Sequence, residues 1–154
     1  AMIDTIRAFL GRHLDTVIDQ GDDGQAIRMA IATLLMEVAR AHSATSEAER
    51  RAVQRLIETH FALPPDVSQT IAAAAEHEAE HATSLYPLTS MINRECSQQD
   101  KRQVVRMLWE VSFADGHLDR HEEHIIRRIA DLLHVPHREF IRAKLQVTEE
   151  GPGR

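Results

Sequence analysis

The chain has 154 residues, enough for one domain with a core of its own. Its 18 basic residues against 24 acidic ones give a net charge of −6, which repels a phosphate backbone or an anionic membrane surface and argues against nucleic acid as a partner. The lone cysteine, Cys96, excludes an internal disulfide framework. No apolar run approaches the roughly 20 residues needed to span a bilayer and the N-terminus lacks a signal-peptide core, so the expected location is the cytoplasm.

Apolar residues recur every three or four positions in nearly every segment, and strict alternation is almost absent, so the expected fold is an all-α bundle of about seven to eight helices. Ile3, Ile6, Phe9 and Leu10 open a short amphipathic helix that continues toward Ile18 and ends at Gly21-Asp-Asp-Gly24. Ile27, Ala30, Ile31, Leu34, Leu35, Val38 and Ala41 form the second stripe. Ser46-Glu-Ala-Glu49 is a capping box: the serine oxygen and the glutamate carboxylate satisfy amides that the first turn leaves without partners, so a helix starts here and runs to about His60. Pro64-Pro65 separates it from an alanine-rich helix over Asp66 to Thr83, and Pro87 interrupts the next short element. Ser97 to Ala114, Asp119 to Leu133 and Pro136 to Val147 complete the set, with Pro136 at a first helical position. Residues 1–147 are read as one helical domain and 148–154 as a flexible tail.

Set beside each other at an offset of 73 without gaps, Met36–His60 and Trp109–Leu133 share five identities in 25 pairs: Glu37/Glu110, Val38/Val111, Ala41/Ala114, Glu49/Glu122 and Arg55/Arg128. Leu63-Pro64 and Val135-Pro136 nearly correspond as well. The pattern reads as a duplication, and two duplicated helix-turn-helix units are expected to pack with approximate two-fold symmetry, giving their turns comparable roles.

The second turn, "SFADGHLDRHEEH", is the densest cluster of ligand-type side chains. An EF-hand is excluded, because Gly116 directly follows Asp115 and the alternating oxygen ligands that must precede the glycine are missing. Capping accounts for Asp119, Glu122 and Gly116. It leaves Asp115 unexplained, since a carboxylate at a helix C-terminus opposes the macrodipole. Asp115, Asp119, Glu122 and Glu123 repel one another unless they are exposed, paired with arginine or neutralised by a divalent cation. His117, His121 and His124 are auxiliary ligand candidates, although histidines beside a turn are usually solvated.

"LWEVSFADGHLDRHEEHIIRRIADLL" resembles the signature helix pair of the TerB-like tellurite-resistance family, and "SLYPLTSMINRECSQQDKRQVVRMLWEV" is similar to the lead-in of its cytoplasmic proteobacterial branch. The resemblance implies a helical fold of duplicated units, a divalent-metal site built from acidic residues of the two turns, and no enzymatic activity. Matched position by position, it implies Asp115 and Glu122 from the second turn and Glu49 from the first as metal residues. His42 stands where a fully acidic site would carry aspartate, and a histidine ligand suits zinc or another transition metal better than calcium or magnesium. The expected function is therefore a non-enzymatic module that binds a divalent metal of unknown identity at Asp115, Glu122, Glu49 and His42 and docks a protein partner, in a stress- or tellurite-resistance setting.

Two alternatives stand beside it: a metal-free helical scaffold, and a zinc hydrolase. The second rests on "HEAEH", His77 to His81, where two histidines one turn apart flank a glutamate able to activate a bound water. No third ligand beyond Glu95 suggests itself, no strand is expected that could align a peptide, and Glu78 points toward the apolar stripe. Cys96, without a partner motif, reads as a passive thiol, and Trp109, Met107 and Met36 as core.

Overall fold

The computed structural model describes residues 22–41 and 45–151, so the expected N-terminal helix over Ile3–Ile18 and the candidate ligand His42 lie outside the described residues. Within them the chain forms seven helices and no strand: α1 Asp22–Ala39, α2 Glu47–Phe61, α3 Pro65–His81, α4 Tyr86–Glu95, α5 Gln98–Ser112, α6 Arg120–Leu132 and α7 His137–Glu150. The all-α expectation holds.

Helix α1 is the hub. Every residue from Met29 to Met36 is buried, Thr33 included, because this helix is apolar around nearly its whole circumference and has neighbours on all sides. It packs against α2, α3, α4, α5 and α6. Thr33 survives there because its hydroxyl donates to the Met29 carbonyl at 2.8 Å. The α5–α7 side is closed by Trp109, fully buried, whose Nε1 donates to the Phe140 carbonyl at 3.1 Å while its ring lies 5.0 Å from that of Phe140. Lys144 secures the same corner, its ammonium 5.5 Å above the Trp109 ring and 2.9 Å from Glu123 of α6.

The expected duplication is visible in the element boundaries. Helices α1 and α5 end at Ala39 and Ser112, and α2 and α6 begin after the N-caps Ser46 and Asp119, each pair separated by the offset found in the sequence. Both units then close in the same way. Ala62 and His134 take left-handed backbone with φ of 54° and 60°, and the amides of Leu63 and Val135 reach back to the carbonyls of Glu58 and Ala130. These are Schellman-type ends, and each leads into an apolar residue and a proline.

The first described helix, α1, begins at Asp22 with Gly24 in its first turn, and the expected end of the preceding helix lies outside the described residues. Two helices differ from expectation at their ends. Pro87 does not interrupt a helix but sits in the first turn of α4, where its missing N–H has no intrahelical acceptor to lose. The last helix runs through Glu150, covering three residues of the segment read as tail, and Pro136 is its N-cap rather than its first helical residue.

Ala62 offers a direct check on the α2 end. Its side chain is exposed while its backbone is left-handed, a conformation that costs an L-residue about 1 kcal/mol. Ala62→Gly should therefore stabilise the protein by about 0.5 kcal/mol once the greater freedom of glycine in the unfolded chain is included, read as a higher urea midpoint.

Candidate metal centre

The duplicated N-caps place two glutamates at equivalent positions, the third residue of α2 and the third of α6, and the two differ in what their N-caps can do. At α2 the cap is serine. The Ser46 hydroxyl accepts from the Glu49 amide at 3.1 Å and donates to Glu49 Oε1 at 3.0 Å, while the Ser46 amide donates to the same oxygen at 3.3 Å. The expected capping box is thus complete. At α6 the cap is aspartate, which accepts from the His121 and Glu122 amides at 2.8 and 3.2 Å but has no hydroxyl proton to give back.

Glu122 consequently leaves the capping arrangement that the sequence suggested for it. It is buried, and its Oε1 accepts from the Ser112 hydroxyl at the end of α5 at 3.0 Å. Its carboxyl also makes a hydrogen-bond contact with Glu49, likewise buried. Burial first, and the neighbouring Glu49 carboxylate second, push the Glu122 carboxyl up to about 9. Two carboxyls from the two halves of the duplication therefore meet in the interior, and among the described residues no arginine or lysine reaches either of them. Such a pair must share a proton or hold a cation, because two adjacent buried charges are too costly.

Asp115, unexplained in the sequence, is exposed, and its Oδ1 accepts from the His117 amide at 3.0 Å, so it stabilises the turn that Gly116 makes with φ of 89°. That bond corrects the premise that Asp115 is the carboxylate lacking a structural reason; Glu122 is. His117, His121 and His124 are exposed. Among the described residues, the group of three or more His, Cys, Asp or Glu side chains whose ligand atoms lie within 4.8 Å of one another is His77, Glu80 and His81 on α3, not the residues of the two turns. Glu80 joins the histidines there, whereas Glu78, central to a hydrolase, is half-buried on the neighbouring face.

Ser112 is the member of this candidate centre that sequence reasoning missed. Its signal was a polar side chain on the stripe of Val105 and Leu108, ten positions before Glu122. A second pair related by the offset, Glu37 and Glu110, is also raised by burial, with Arg40 and Arg106 respectively acting in opposition. Glu110 lies 3.7 Å from Arg106 Nε. Burial likewise pushes the Cys96 thiol up, which keeps it a poor nucleophile at neutral pH.

The family model described as "Tellurite resistance protein TerB" matches residues 28–145, which takes in nearly all the described helices and both turns. The chain belongs to the TerB family. No curated protein and no solved structure matches it. The TerB match spans both glutamates, Ser112 and the α3 cluster alike. Among the described residues of this TerB chain, no helix is long and apolar enough to cross a membrane.

Proposed function

We propose that this TerB-family chain is a non-enzymatic module that holds a divalent cation between Glu49 and Glu122 and offers the folded bundle to a protein partner in a tellurite- or stress-resistance response. The observation that carries the reading is the meeting of two buried carboxyls, one from each half of the duplication, with no basic side chain from the described residues to neutralise them. A cation there would join the first turns of α2 and α6 and so cross-link the two units. Glu49 and Glu122 would be the core ligands, and His42 would be a further one, whereas Asp115, engaged by the His117 amide, would contribute little. The cation supplies charge neutralisation and cross-linking, and the chain's own serines, Ser46 and Ser112, orient the two carboxyls.

A ligand that binds only the folded state stabilises it by about 2.7 kcal/mol at a hundredfold excess over its dissociation constant. For a chain of this size that corresponds to a rise in melting temperature of about 5–10 °C. Melting of chelator-treated protein with added magnesium, calcium, manganese or zinc should show such a rise for at least one cation, and Glu122→Gln and Glu49→Gln should each abolish it. Asp115→Asn should keep most of it, because Asp115 is engaged by the His117 amide. If no cation shifts the wild type, the metal-free scaffold is the better account.

The hydrolase alternative predicts zinc-dependent peptide cleavage that disappears in Glu78→Gln. We expect no cleavage in either protein.

A further inference from the structure

Helix α3 carries metal-competent side chains of a different kind, on a different element from the Glu49–Glu122 pair. His77, Glu80 and His81 stand at i, i+3 and i+4, so one turn brings them together, with one ligand atom of each within 4.8 Å of the others. All three are exposed. The two imidazoles lie 4.4 Å apart between centroids, tilted by 43°.

His81 is already oriented for ligation. Its Nδ1 lies 2.8 Å from the His77 carbonyl oxygen, which can only accept, so Nδ1 carries the proton and Nε2 keeps its lone pair. A metal-ligating histidine commonly has this arrangement, with one ring nitrogen donating to a backbone carbonyl and the other facing the ion. Glu80 has little competition from the nearby Arg50, whose guanidinium is engaged by Glu76 through Nε at 3.1 Å and Nη2 at 2.8 Å. The exposure of all three side chains leaves room for an ion and its water ligands beside them.

Two imidazoles and one carboxylate form a borderline donor set that favours zinc, copper, nickel or cobalt over calcium or magnesium. We propose that His77, Glu80 and His81 form a surface site for a transition-metal dication of the zinc class, with water completing its coordination. Glu78, which hydrolysis would require beside that water, is not a member of the group. The site is independent of the Glu49–Glu122 centre and takes a softer class of ion than carboxylates alone would select.

Titration calorimetry of the full chain with zinc, near pH 7.5, tests it in four proteins: wild type, His77→Ala, His81→Ala and the double variant Glu49→Gln/Glu122→Gln. Each histidine variant should weaken one zinc-binding event at least tenfold, and the double glutamine variant should keep that event. Zinc and protons compete for the imidazole nitrogens, so the event should weaken on acidification. Substitutions at exposed positions leave folding intact, as far-UV circular dichroism will verify. Zinc binding unchanged in both histidine variants, or lost only in the double glutamine variant, would overturn the proposal.

Discussion

Replacing Trp109 by alanine is expected to lower the unfolding free energy by about 3–5 kcal/mol, a large part of the stability of an ordinary domain. The side chain is fully buried, its ring packs on Phe140 at 5.0 Å, and its indole N–H donates to the Phe140 carbonyl. Removing it leaves a cavity between α5 and α7, and Lys144 loses the ring beneath its ammonium. Trp109→Phe keeps most of the volume and forfeits the donor, so it should cost about 1 kcal/mol. Trp109 is the sole tryptophan, so urea unfolding must be followed by circular dichroism rather than by its fluorescence. Equal, small losses in both variants would show that α7 docks without this anchor.

Alkaline pH should weaken the metal-free protein through Glu122. Its folded carboxyl is raised to about 9 from an ordinary value near 4.5, so between those limits the folded state binds more protons than the unfolded chain. Stability from this group is therefore fully present below about pH 4.5 and is lost as pH rises through 9. Each pKa unit corresponds to 1.36 kcal/mol, so on the order of 2–3 kcal/mol should disappear between pH 7 and pH 9.5. Glu37, Glu110 and Cys96 are also raised by burial and act in the same direction, so the informative quantity is the difference between wild type and Glu122→Gln. Glutamine mimics the protonated carboxyl, can still donate to Glu49 and does not titrate. The variant should match the wild type near pH 6 and exceed it at pH 9.5. Parallel curves for the two proteins would mean that Glu122 carries no such proton.

The parts of the fold governed by local chemistry were legible in the sequence. Ser46 and Asp119 announced α2 and α6 because capping is a short-range exchange between a side chain and the amides two or three residues on, and the offset of 73 carried over to the helix boundaries. Pro87 reads as a break in the sequence because hydrophobic periodicity places a first turn poorly, and a first turn tolerates proline. The centre was half legible. Glu49 and Glu122 could be paired through the repeat, but no local pattern signals that an aspartate cap frees Glu122 to turn inward and find Ser112 across ten residues. Asp115 drew attention through its unfavourable place at a helix end, a penalty that its bond to the His117 amide offsets locally. Glu80 rather than Glu78 joins the histidines of α3 because the helical turn, not adjacency in the motif, decides which side chains share a face.

The most direct measurement is a crystal structure of the protein grown with manganese, with anomalous differences recorded near the manganese edge. A peak is expected about 2.0–2.6 Å from carboxylate oxygens of both Glu49 and Glu122, absent from Glu122→Gln crystals grown in the same way. Glu49 and Glu122 still bonded to each other, with no peak between them in manganese-saturated crystals, would contradict this expectation and leave the pair as a shared-proton contact inside a metal-free scaffold.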